Sequence, residues 1–376
     1  MDKQPTKLTP NTDLPHNGVA TIPQFIQSTN KVFGMGLDLA SFLAVYGAVF
    51  DGDLTSWSIG GPPSSSLLAP LSPLLGQPTG LTGSHNRYES DVSPTRGDLY
   101  QTGDNQDVQL DQFKGMYALQ GSETEESSNY DLDVLTSWRA QRFQESMSQN
   151  PYFFNGPFSG VLVQPAAYTF IYRFMANKSE EFPEGRLSQN VLKSFFSITG
   201  DTPDQFEYTR GYERIPDNWY KRAIGDEYTI PFFNLDVLSA AEHHPEFLDI
   251  GGNTGTVNSF TGVNLNDLTG GVYNAQSLTE GNNAACLAFQ LVQQMGPDVL
   301  QGLLSDVTDA TSTLSQAVNQ ASTGLACPQL SSVDRNTLNE PFSQFPGVTK
   351  LADDGSYTKQ QSSLSGDSGG LTGGIL

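Results

Sequence analysis

The chain has 376 residues, with 19 basic and 41 acidic side chains, a net charge of −22 and 37% apolar residues. A surface this acidic repels phosphate backbones and excludes nucleic acid as a partner, while the length suffices for a domain with a sizeable core. The longest apolar stretch, residues 37–50, carries Asp38, Ser41 and Gly47 and is too short to span a bilayer, so no membrane role is expected.

Residues 1–21 read as an extended arm punctuated by Pro5, Pro10 and Pro15, with no apolar leader segment after Met1. A first helix is predicted over 22–34. A second, over 37–50, is too densely apolar for a surface stripe and should be central and buried. Residues 60–80 are a Pro/Ser/Leu/Gly loop. A helix is predicted to start near Pro94 with Ser93 as its N-cap. Amphipathic helices follow at 108–119 and 132–147, the latter around Val134, Leu135, Trp138 and Phe143. Residues 164–176 are apolar and aromatic, a pattern that fits either helix or buried strand. Helical pieces are predicted at 187–198 and 203–222, then an irregular Gly/Asn/Thr-rich layer over 251–283. Two more helices are predicted at 283–295 and 298–325. Residues 331–376 are rich in Ser, Gly and Asp and are expected to be a disordered tail. The fold class is mainly α, a single domain over 14–330.

Two features carry chemistry. The first is Glu89-Ser90-Asp91-Val92-Ser93-Pro94-Thr95-Arg96-Gly97-Asp98, which gathers carboxylates, hydroxyls and an arginine around the expected helix start. The Glu89 carboxylate, the Ser90 carbonyl and the Ser93 hydroxyl are hard oxygen ligands of the kind magnesium, manganese or calcium takes. The alternative is a capped, solvated helix N-terminus. The second feature is the cysteine pair Cys286 and Cys327, 41 residues apart. Read from the residues alone, it is a bridge, two free thiols, or a thiolate ligand.

The decapeptide resembles the Glu-Gly/His-Asp-Ala-Ser-x-x-Arg-Ala-Asp signature of the fungal heme-thiolate peroxidases, the family of chloroperoxidase and the unspecific peroxygenases. Leu14-Pro15-His16-Asn17-Gly18 is similar to that family's Leu-Pro-Arg/His-Asn-Gly segment. The resemblance implies a helical, chloroperoxidase-like domain holding heme b, with hydrogen peroxide as oxidant and a small organic molecule as substrate. It also implies a divalent cation, magnesium or manganese, held by Glu89, Ser90 and Ser93 against a heme propionate, and a disulfide between Cys286 and Cys327.

The sequence departs from the pattern at two places. The family's Pro-Cys-Pro loop has no counterpart before Leu14, so the expectation is that the heme-ligand segment is missing from this sequence. Of the four histidines His16 and His85 lie nearest the motifs, His16 being the candidate cofactor ligand, while His243 and His244 sit on a separate polar segment. At the distal side, the alignment on Tyr168-Thr169-Phe170 puts Ala167 where the family has its proton-carrying glutamate and Gly160 where it has an arginine. Ser90 stands where chloroperoxidase has a histidine. Glu180 and Glu181 are the nearest substitutes, or else solvated loop. Phe153, Phe154, Phe158, Tyr168, Phe170, Tyr172 and Phe174 line a substrate channel or pack a core. The implied function is a peroxidase or peroxygenase; the alternative is a silent member that keeps the fold and binds heme or a small ligand. Asn177-Lys178-Ser179 is a glycosylation sequon, and with the cysteine pair it favours a secreted monomer.

Overall fold

The computed structural model describes residues 14–15, 20–50, 56–57, 90–102, 107–292, 316–322, 325–328, 330 and 342–348. Helix α1 (Ile22–Phe33) follows strand β1 (Ala20–Thr21), and the Gln24 side chain returns to the Thr21 N–H at 2.9 Å. Gly34 ends the helix with φ of 72°, a left-handed turn that glycine adopts without penalty. Helix α2 (Leu37–Phe50) is the buried central helix its composition required, with Leu39, Phe42 and Tyr46 each at most 3% exposed. Strand β2 (Ser56–Trp57) pairs with β1.

After the short α3 (Leu99–Thr102) come α4 (Leu110–Ala118) and α5 (Leu132–Gln149), the latter capped by Asp131, which accepts from the Val134 N–H at 3.1 Å. Strand β3 (Phe154–Asn155) leads through a π turn at Ser159–Val163 into α6 (Gln164–Met175). The ambiguous aromatic stretch is therefore helix. Helix α7 (Gln189–Phe195) is capped by Ser188.

The piece predicted as helical over 203–222 is not. Strands β4 (Ile198–Thr199) and β5 (Glu207–Tyr208) pair as a hairpin there, with one 3-10 turn at Pro203–Gln205. Gly200, at φ of 98°, lets the backbone turn so tightly that a Cβ would lie 2.2 Å from the Gln205 carbonyl oxygen. Conversely, sequence reading missed α8 (Ile230–His243). Its Thr229 cap and Pro231 start it, Asp38 of α2 accepts the Ile230 N–H at 2.9 Å, and Phe233, Val237 and Ala241 recur at helical spacing on its buried face. Beyond it the chain is irregular: β6 (Gly251–Gly252) and β7 (Thr261–Gly262) join β3 in a three-stranded patch before α9 (Leu265–Leu268) and α10 (Asn283–Val292).

The protein is thus mainly α, with its largest core cluster running from α2 through α6 and α8 to α10. That core extends past the expected boundary at 330: Phe342 and Phe345 are 3% and 2% exposed and lie against Phe154 at ring distances of 5.8 and 5.7 Å. An aromatic pair inside a polar stretch has enough apolar surface to dock. Most of the predicted 298–325 helix, the 60–80 loop and the rest of the tail lie outside the described residues; 316–322 are helical. No helix among the described residues is long and apolar enough to cross a membrane.

Cys286 of α10 forms a disulfide with Cys327, reinforced by Gln290, whose Nε2 donates to the Pro328 carbonyl at 3.0 Å and whose Oε1 accepts from the Leu330 N–H at 2.8 Å. A 41-residue loop closed this way stabilises by roughly 4 kcal/mol in the chain-entropy account. Replacing both cysteines by alanine should therefore lower the urea unfolding free energy by about that amount. A loss under about 1 kcal/mol would mean the neighbouring hydrogen bonds hold the segment without the bridge.

Candidate functional site

Residues 90–98 do not form the capped helix expected at Pro94. The chain bends instead. Val92 is fully buried at φ of 65°, and α3 begins only at Leu99. The cause lies in α5 and α6, whose side chains capture the backbone of this loop. The Val92 carbonyl accepts from the Tyr168 hydroxyl at 2.8 Å, that of Ser93 from Arg142 Nε at 3.1 Å, that of Pro94 from the Trp138 indole at 2.8 Å and that of Arg96 from Arg142 Nη2 at 3.0 Å. A helix starting at Ser93 would have to release these bonds, and a buried guanidinium left without acceptors is costly.

Asp98 closes the loop on itself. Its Oδ1 accepts from the Val92 N–H at 3.2 Å and from the Ser146 hydroxyl at 2.8 Å, and Arg142 Nη2 stands 3.6 Å away. Its Oδ2 accepts from Asn150 Nδ2 at 2.9 Å, and the same amide donates to Asp91 Oδ2 at 3.1 Å. One asparagine thus bridges two buried carboxylates. Burial and the neighbouring Asp91 push the Asp98 carboxyl up to about 6, against the pull of Arg142, Asn150 and the Val92 N–H. Since the folded value lies above the ordinary 3.8, the native chain holds more protons here than the unfolded one across the window between. This group's contribution is therefore fully present below about pH 4 and lost as pH rises through about 6. In urea titrations at pH 4, 5, 6 and 7, Asp98→Asn should flatten that fall relative to the parent chain; parallel profiles for the two would contradict the assignment.

The residues singled out from sequence divide sharply. The Ser93 hydroxyl accepts from Arg96 Nε at 3.2 Å, and the Ser90 hydroxyl donates to the Asp91 carbonyl at 3.1 Å. A guanidinium on the Ser93 oxygen opposes a divalent cation, so Ser93 could ligate one only once Arg96 has moved away. Glu89, His16 and His85 lie outside the described residues. Among the described residues, no group of three His, Cys, Asp or Glu side chains is placed to hold a metal ion. Both cysteines are consumed by the disulfide, which removes them as thiolate ligands.

Of the two positions that the resemblance compares with distal groups, Ala167 is exposed on α6 and Gly160 lies in the π turn. A Cβ at Gly160 would sit 2.2 Å from Asn155 Oδ1, so this position is closed to any other side chain. Glu180 and Glu181 are exposed bend residues. Most of the aromatic set packs the core, Phe154, Phe158 and Phe174 in the main cluster, Tyr168 and Tyr172 in a second and Phe153 in a third, while Tyr168 also borders a cavity. Asn177 is half-buried, its amide donating to the Asn218 carbonyl and accepting from the Tyr220 N–H. His244 pairs with Glu246 at 3.0 Å and stacks on Phe247.

Sequence reading missed the residues that build the site: Arg139, Arg142, Asn150 and Gln164. The signal was there. Arg139 and Arg142 fall on the same stripe of α5 as Leu135, Trp138 and Phe143, and a guanidinium on a buried stripe must have partners.

Residues 13–224 match the family "Peroxidase, family 2". The chain is 40% identical over 343 residues to the aromatic peroxidase fscJ of Fusarium equiseti, covering 88% of this chain and 76% of that protein. It is 38% identical over 336 residues to the dothistromin biosynthesis peroxidase dotB of Dothistroma septosporum, covering 89% and 78%. To an aromatic peroxygenase of Coprinellus radians it is 29% identical over 207 residues, covering 51% and 72%. The chain belongs to peroxidase family 2 and is a peroxide-using oxidoreductase.

Proposed function

We propose that the chain is a heme-dependent peroxidase of the heme-thiolate type, using hydrogen peroxide to oxidise or oxygenate a small aromatic compound. The observation that carries this reading is the 40% identity, over 88% of the chain, to a protein named an aromatic peroxidase. Heme b would supply the redox chemistry. The iron's thiolate, which neither Cys286 nor Cys327 can provide, would come from a cysteine outside this sequence. The protein's own contribution begins with the loop 90–98, which α5 and α6 hold in one conformation. A magnesium or manganese ion at Glu89, Ser90 and Ser93 belongs to the same reading and requires Arg96 to leave the Ser93 hydroxyl. The disulfide and the sequon at Asn177 suit an oxidising compartment, so the reading includes secretion.

One observation favours a second reading, the silent member. Gly160 and Ala167 carry no group that moves a proton, and Gly160 has no room for one. The two readings separate in experiment. Given heme, this sequence should form a reduced carbon-monoxide complex without the red-shifted Soret band of thiolate ligation. A thiolate spectrum from it would overturn the ligand assignment.

With a Pro-Cys-Pro segment added ahead of residue 14, that band should appear, and the protein should oxidise a phenol slowly with peroxide. Ala167→Glu places a carboxylate on an exposed helix position that tolerates it. It should then speed the peroxide step, since positioned acid–base catalysis is worth roughly 10²–10⁴-fold. Full speed without the glutamate would show that another residue carries the proton; no turnover with or without it would favour the silent member.

A further inference from the structure

A cavity of about 380 Å³ opens between α5, α6 and α8, within the size range of small-ligand sites. Pro165, Tyr168 and Thr169 form its α6 wall. These residues lie on one side of the helix, whereas Ala167 projects from the other and is exposed. The cavity is therefore separate from the place where the family resemblance sets the proton carrier.

Arg139 lines this cavity and is 2% exposed. Its Nε donates to Gln164 Oε1 at 2.9 Å, its Nη2 to the Gly160 carbonyl at 3.3 Å, and its guanidinium carbon lies 3.8 Å from the centre of the Phe247 ring. All three partners are neutral. Among the described residues no carboxylate pairs with it, and its Nη1 has no hydrogen-bond partner. Nearby acids are engaged elsewhere: Asp236 is held by Arg173 at 2.7 Å and by the Tyr228 hydroxyl at 2.6 Å, and Glu246 by His244. Asp133 is exposed at the start of α5, and His243 is exposed at the end of α8. Desolvation pushes the Arg139 guanidinium down to about 9, against the weaker pull of Tyr168 and Glu246.

We propose that this cavity binds a small aromatic carboxylate, with Arg139 as its charge partner. The guanidinium, seated on the buried Phe247 ring, offers donors to a carboxylate, and the Tyr168 and His244 rings on the cavity wall give an aromatic body a surface to rest on. The net charge of −22 gives the protein no general attraction for anions, so a carboxylate found here is held by this one cation.

Calorimetric titration of the full chain with benzoate tests the assignment and depends on neither cofactor nor turnover, so it stands or falls apart from the peroxidase reading. Benzoate should bind about tenfold or more tightly than benzamide, the advantage of a charged hydrogen bond over a neutral one. Arg139→Gln should remove that advantage and Arg139→Lys should keep part of it. Should Arg139→Gln fail to fold, Ser239→Trp fills the cavity from an exposed position of α8 and leaves the guanidinium in place; benzoate binding should then be lost. Equal affinity for benzoate and benzamide, benzoate binding unchanged in Ser239→Trp, or displacement of benzoate by equimolar chloride would each overturn the proposal.

Discussion

Everything distinctive about this protein rests on two side chains, Arg142 of α5 and Asn150 at its C-terminal cap, and on what they do to the loop 90–98. Arg142 is fully buried and gives hydrogen bonds to two loop carbonyls while facing Asp98; Asn150 holds Asp91 and Asp98 together. Burying a guanidinium and two carboxylates is unfavourable unless nearly every polar atom finds a partner. Here the loop backbone provides those partners, and to do so it must bend at Val92 rather than wind into a helix. The same bargain explains why a short segment with few apolar residues is well fixed: its enthalpy comes from charge-assisted bonds rather than from area.

Helix α6 ties this loop to the rest of the molecule. Tyr168 reaches the Val92 carbonyl, Gln164 reaches the Asp91 carbonyl at 3.4 Å, and Arg173 forms a two-pronged pair with Asp236 of α8. The helix therefore serves two functions on two faces. One carries the exposed Ala167. The other, with Tyr168 and Thr169, walls the cavity that Arg139 enters. The π turn ahead of α6 is the joint between them: Gly160 gives its carbonyl to Arg139, and its missing side chain leaves room for Asn155.

How much of this the sequence revealed depended on range. Local signals were sound wherever a helix answered to its own composition. The Gly34 stop, the apolar run of α2, and the Leu135, Trp138 and Phe143 stripe of α5 all read correctly, because burial on one face and cap geometry are written within a few residues. The signals failed where a distant group decided. Ser93-Pro94 is a good helix start by itself, yet Arg142, about fifty residues away, takes the loop carbonyls first. Gly200 turned a predicted helical stretch into a hairpin. The His-rich end of α8 hid the apolar repeat of Phe233, Val237 and Ala241. The decapeptide identified the family without revealing its local geometry, since resemblance transfers residue types and not the contacts that position them.

The claim on which the account depends is that Arg142 sets the conformation of residues 90–98, and amide hydrogen exchange in Arg142→Met measures it most directly. The account predicts that the amides of Val92 and Gly97 lose protection by a large factor while those within α6 and α8 keep theirs, the apolar stem of methionine preserving the packing of α5. Unchanged protection at Val92 and Gly97 in a folded variant would contradict it.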